Sequence, residues 1–129
     1  EEKLDNAIGH LAEALSVEIN EYTVGVLQDE NDNYFHQWIL VSIHDIDPAE
    51  ARKIIDNRLQ SLNHNYEVAR GKALKDVRVK IISPEVYLNW IGGVSRVYWK
   101  IKKKEDFSSF FFMMTGASFS YLVVFNGVG

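Results

Sequence analysis

Tyr66 and Arg70 stand four residues apart, with Asn63 just before them, in the stretch NHNYEVAR. If that stretch is helical, a phenol and a guanidinium at this spacing share one face. Such a pair either anchors its segment onto a sheet or presents itself at an interface. His36, His44 and His64 are the next residues with chemical potential, since imidazole suits zinc and similar ions. His36 and His44 have the same parity but sit roughly 26 Å apart if the strand is fully extended, so no metal site is expected. Asp45, Asp47 and Glu50 offer carboxylates for acid–base work, yet helix capping already accounts for Asp47 and Glu50. Tyr34, Phe35, Trp38, Tyr87 and Trp90 could stack on a ligand, but aromatics on half-buried elements are expected to fill a core. No nucleophile has a base beside it, and neither a phosphate-binding loop nor a dinucleotide glycine pattern is present.

The elements that must position these residues follow from periodicity and turn chemistry. Leu4, Ala7, Ile8, Leu11 and Leu15 recur at helical spacing, with Glu1, Glu2, Asp5, Asn6 and Glu13 elsewhere, which predicts an exposed helix with a buried stripe. Val17, Ile19, Tyr22, Val24, Val26 and Leu27 include two alternating stretches, Asp29 to Asn33 is a polar turn, and Tyr34 to Ile43 reads as a second strand. The two strands should pair as an antiparallel hairpin over a loop of about five residues. Asp47-Pro48, with Glu50 three residues after Asp47, announces a helix. Ala51, Ile54, Ile55, Leu59 and Leu62 give it a buried face. Asn63 to Asn65 breaks it before a short helical segment through Arg70. Val77, Val79 and Ile81 alternate with Arg78 and Lys80 as a half-buried strand, and Pro84 begins a short helix through Trp90, stopped by Gly92-Gly93. This order implies an α+β fold, a small two-layer sandwich with a mainly antiparallel sheet and helices on one face.

Composition narrows the partners. A chain of 129 residues with 47% apolar content supports one domain and one core, and a formal charge of −4 with mixed signs argues against nucleic acid. Cysteine is absent, which rules out disulfides and thiolate metal sites and fits a reducing compartment. The acidic, amphipathic start EEKLDNAIGHLAEAL is not a secretion signal, so a cytoplasmic location is expected.

The strand YFHQWILVS, the pattern Asn63, Tyr66, Arg70, and the approach to a strand from Lys72 to Ile82 together resemble the C-terminal domain of the Gretchen Hagen auxin-responsive family and its bacterial relatives, over roughly residues 4–97. The resemblance implies an ATP-dependent acyl-acid amido synthetase, a ligase in which ATP adenylates a carboxylate and an amino acid then displaces AMP. In that scheme a small lobe closes over the nucleotide and turns between half-reactions. ATP and Mg²⁺ are therefore implied by the family alone, with none expected to be bound by this chain by itself. The bacterial sort continues from its last short helix into a glycine pair and a lysine-containing loop. Here Gly92-Gly93-Val94-Ser95-Arg96 stands at that place, and Arg96 takes the position of the lysine as the candidate catalytic cation. A cation there would stabilise charge building on phosphoryl and carboxylate oxygens, although arginine differs from lysine in shape and hydration. Tyr66 and Arg70 become candidates for contact with a large nucleotide-binding lobe.

Beyond residue 97 the composition changes: Lys100 to Asp106 is dense in charge, and Phe107 to Gly129 carries none. An atypical apolar tail over residues 98–129 is expected, separate from the lobe of 1–97. A β-hairpin is favoured, with Phe119, Tyr121, Val123 and Phe125 alternating and Thr115-Gly116 turning the chain. A membrane span and a tail created by a reading-frame change are the other two readings, the span fitting in length and in its preceding lysines. Two functions stay open. The chain is either a detached small lobe of an acyl-adenylating synthetase, inactive without its nucleotide-binding lobe, or a non-catalytic α+β interaction module. The module would use its tail for self-association or membrane attachment.

Overall fold

The Asp47 carboxylate accepts a hydrogen bond from the Ala49 amide at 3.0 Å, and Pro48 occupies the first helical position behind it. From this cap runs the longest helix of a computed structural model that describes residues 2–91 and 124–128. The described elements are α1 (Glu2–Leu15), β1 (Glu21–Gln28), β2 (Tyr34–Val41), α2 (Pro48–Leu62), α3 (His64–Gly71), β3 (Leu74–Ile82), α4 (Pro84–Ile91) and β4 (Val124–Val128).

Local chemistry sets most of these boundaries. Ser16 takes a left-handed conformation after α1, and the Val17 amide returns to the Ala12 carbonyl, closing the helix as a C-terminal cap does. Between β1 and β2 the Asp29 carboxylate accepts from the amides of Asn31 and Asn33, each at 2.9 Å, while Asp32 adopts φ 63°. Among residues with a side chain, aspartate and asparagine tolerate that turn geometry best. Asn63 ends α2 by donating its amide to Leu59 and starts α3 by accepting from the amides of Asn65 and Tyr66.

The four described strands lie in the order β3-β2-β1-β4. Two of the three pairings are antiparallel, β1 with β2 and β1 with β4, as a mainly antiparallel sheet requires. The third is parallel: β3 runs alongside β2, with Trp38 opposite Val79. Parallel neighbours need a crossover of a dozen or more residues, and α2 with α3 provides it. The helices α1, α2 and α3 lie over one face. Ala7, Ile8 and Leu11 of α1, Ala51, Ile55 and Leu59 of α2 and Tyr66 of α3 form one core with Tyr22, Val24, Trp38, Leu40 and Val77 of the sheet. Tyr22 also donates its hydroxyl to Asp5 of α1.

Leu27, Phe35, Ile39 and Val41 point the other way by strand alternation, and they too are buried. This explains why β2 reads as a nearly unbroken apolar run: a central strand with a parallel neighbour is covered on both sides. The Arg78 guanidinium lies 3.9 Å from the Phe35 ring centre on that second face. The antiparallel pairing of Val124–Val128 with β1 brings the far end of the chain to the sheet edge. The rest of the expected tail hairpin lies outside the described residues, as does the Gly92-Gly93 stop. Among the described residues no helix is long and apolar enough to cross a membrane.

Candidate functional site

Helical spacing brings Tyr66 and Arg70 to one face of α3, and there both meet Asp56, on the side of α2 that turns toward them. The Tyr66 hydroxyl donates to Asp56 Oδ1 at 2.7 Å. Arg70 donates Nε to the same oxygen at 3.0 Å and Nη2 to Oδ2 at 3.3 Å, a forked grip that suits a planar guanidinium. Its remaining nitrogen, Nη1, reaches the Leu74 carbonyl at 2.7 Å, where β3 begins. One arginine thus ties α3 to α2 and to the start of the edge strand.

Burial and charge tune this cluster together. Removing Asp56 from water would raise its pKa, but hydrogen bonds from Arg70 and Tyr66 and the Arg70 charge outweigh that and hold the carboxyl below its ordinary range. Burial and the hydrogen bond to Asp56 push the Tyr66 phenol well up. Burial opposes the Arg70 charge, yet its bond to Asp56 leaves the guanidinium pKa raised. The result is a fixed ion pair and a neutral phenol, a set suited to anchoring and unsuited to proton transfer near neutral pH.

His36 projects from β2 against this cluster, its ring 5.6 Å from that of Tyr66 and tilted by 42°. Burial, then the neighbouring Arg70 charge, lower its pKa from 6.5 to about 4, against a smaller opposing pull from Asp56. The ring is therefore neutral at physiological pH. Its Nδ1 is buried with no hydrogen-bond partner among the described residues. Beside it a recess of about 430 Å³ is lined by Glu2, Lys3, Leu4, His36, Leu59, Asn63 and Tyr66.

A second polar constellation grips β3 from outside. Arg52 of α2 donates Nε to the Val77 carbonyl at 2.5 Å and Nη2 to Asp76 at 3.1 Å, and Arg78 reaches the other Asp76 oxygen at 3.2 Å. Burial alone would raise the Asp76 carboxyl, but these arginines and the Val77 amide lower it.

The structure thus joins Tyr66 and Arg70 and adds Asp56, which spacing did not single out. The signal was present in the sequence: Asp56 sits between Ile55 and Leu59, at the margin of the apolar stripe of α2, where a carboxylate needs a partner. His36, His44 and His64 are not brought together. His36 is in the sheet, His44 follows β2, and His64 is on the surface within 3.5 Å of Glu67. Among the described residues no group of three or more histidines, aspartates or glutamates could hold a metal ion. Arg96 lies outside the described residues.

A family model described as the GH3 family C-terminal domain matches residues 2–110. The match runs beyond residue 97 and takes in the charge-dense segment from Lys100 to Asp106. No curated protein and no solved structure matches the chain.

Proposed function

The chain belongs to the GH3 family, whose C-terminal domain it carries, and we propose that it serves as the small lobe of an ATP-dependent acyl-acid amido synthetase, inactive without a nucleotide-binding lobe. In that reaction a carboxylate displaces pyrophosphate from ATP to give an acyl-adenylate, and an amine then displaces AMP to give an amide. The family match over residues 2–110 carries the reading.

The chemistry of the lobe supports a partnered role. Arg70, Tyr66 and Asp56 are bonded to one another and to the start of β3, which suits them to holding the lobe together. In this reading ATP and its metal are held by the partner lobe, and among the described residues no group of three or more carboxylates or histidines could hold a metal ion. The small lobe would contribute a rigid platform and, from the sequence that follows α4, the Arg96 cation. The activity would be cytoplasmic, in keeping with a chain that has no cysteine.

The test is carboxylate-dependent exchange of pyrophosphate into ATP, measured on the purified chain, on a family nucleotide-binding lobe, and on the two together. Exchange only in the mixture is expected, falling about 100-fold or more with Arg96→Ala if that cation acts on the developing charge. A folded, associated pair that shows no exchange with any acid of a broad panel would refute the proposal.

A further inference from the structure

Among the described strands β3 ends the sheet on the side away from β1, and the described residues close its outer edge over only part of its length. The Ile82 carbonyl accepts from the Ser42 amide of the chain leaving β2, so Ile82 and its even-numbered neighbours turn their backbone groups inward. By alternation Val77, Val79 and Ile81 turn theirs outward. At Val77 both groups are taken: the amide donates to Asp76 Oδ1 at 2.8 Å and the carbonyl accepts from Arg52. Side chains used this way block an edge against pairing. The block stops there. Val79 and Ile81 present two amides and two carbonyls that have no partner among the described residues.

The open edge runs into a recess of about 430 Å³ beyond the carboxyl ends of β2 and β3, where Ile43, Ile46, Ile81 and Ile82 form apolar walls and His44 and Asp45 contribute polar groups. Ile43 is 71% exposed, a large apolar side chain left in water at the rim. Between the two open residues the exposed Lys80 has no ion-pair partner among the described residues, and Lys75 is exposed farther down the strand. We propose that the outer edge of β3 at Val79–Ile81, with the recess beside Ile81, receives an extended segment of a different polypeptide. That segment carries an acidic residue against Lys80 and an apolar side chain for the recess.

Strand addition of this kind draws affinity from main-chain hydrogen bonds and selectivity from alternate side chains. A second copy of this chain fits less well. Antiparallel pairing of the edge with itself about Lys80 sets Lys80 opposite Lys80, and like charges directly opposite across a pair of strands are destabilising. The inference stands apart from the proposed synthetase role, because it requires only a folded lobe.

The test uses the full chain and three capped synthetic hexapeptides: one alternating glutamate with valine, one alternating lysine with valine, and the glutamate peptide methylated on alternate backbone nitrogens. Amide hydrogen exchange is followed residue by residue at low salt. The glutamate peptide is expected to slow exchange at Val79 and Ile81 about tenfold, roughly 1.4 kcal/mol of protection, while the other two leave it unchanged. Lys80→Glu, an exposed substitution, should reverse the preference between the charged peptides. Equal protection by both charged peptides, or protection confined to other residues, would overturn the proposal. So would concentration-dependent protection of Val79 and Ile81 in the chain alone, which would assign the edge to a second copy.

Discussion

Near the start of β3, Arg70 grips Asp56 with side chains 16% and 11% exposed, and a little farther along the same strand Arg52 and Arg78 grip Asp76 with side chains 40–44% exposed. The residue types and distances are nearly the same. The surroundings differ, because Asp56 points into the joint between α2 and α3 while Asp76 faces the open edge. In the buried cluster neither charge can be removed without stranding its partner away from water, and such a loss is costly. In the exposed constellation water and salt replace a lost partner, so its worth as an ion pair is small. What it contributes there is positional, since it occupies the Val77 carbonyl and amide that would otherwise continue a free edge.

The sharpest way to break this comparison is Arg70→Met. It leaves Asp56 buried without its charged partner, held only by neutral donors such as the Tyr66 hydroxyl, and a loss of about 3–5 kcal/mol in urea unfolding is expected. A loss below about 1 kcal/mol would place both constellations in the same class. The double variant Asp56→Leu with Arg70→Met removes both charges and should recover much of the loss, because a buried pair and a well-packed apolar replacement are often close in stability.

Acid acts on the buried cluster next. His36 titrates near 6.5 when unfolded and at about 4 when folded. Between these values the unfolded chain holds more protons, so stability rises with pH. The contribution is complete above about pH 6.5 and is lost as pH falls toward 4, amounting to about 3 kcal/mol. Asp56, whose folded pKa is lowered, adds a loss at still lower pH. Unfolding midpoints recorded across this range should show the slope. His36→Phe should flatten it between pH 6.5 and 4 while leaving the more acidic part in place. An unchanged slope would remove His36 from the account.

A smaller effect separates the phenol from the guanidinium. Tyr66→Phe keeps the ring that packs near His36 and deletes one hydrogen bond, while Arg70 still serves both Asp56 oxygens. The expected cost is about 1–2 kcal/mol. A cost equal to that of Arg70→Met would show that the three groups act as one unit rather than as an ion pair with an added donor.

The helices and turns were legible because their signals are local. Asp47-Pro48 names the start of α2, Asn63 marks its end, and Asp29 to Asn33 is too polar to be anything but a turn between β1 and β2. The shared face of Tyr66 and Arg70 was legible for the same reason. Their common partner was not, since Asp56 lies ten and fourteen residues away and is reached only when α3 folds back on α2. The parallel pairing of β2 with β3 was half visible. The unbroken apolar run of β2 and the helical crossover both pointed to it, but alternation in Val77, Val79 and Ile81 reports one buried face without giving direction. Arg52 shows the limit most clearly: nothing in its neighbours says that it closes a strand edge 25 residues away.

Arg52→Ala is accordingly the finest test of the comparison. Its guanidinium and Asp76 are both more than one third exposed, so the ion pair itself should contribute less than about 1 kcal/mol to stability. Asp76 keeps Arg78 and the Val77 amide, which leaves no buried charge stranded. The consequence expected is at the edge. The Val77 carbonyl loses its donor, and the open stretch that begins at Val79 lengthens toward the middle of β3. An unpaired strand edge is a template for association, so light scattering should rise with concentration in this variant while its unfolding midpoint stays close to that of the parent chain. If stability falls as far as in Arg70→Met, the exposed constellation is a structural ion pair like the buried one. If neither stability nor association changes, Arg52 has no role in closing the edge, and the open stretch of β3 is already as long as the strand permits.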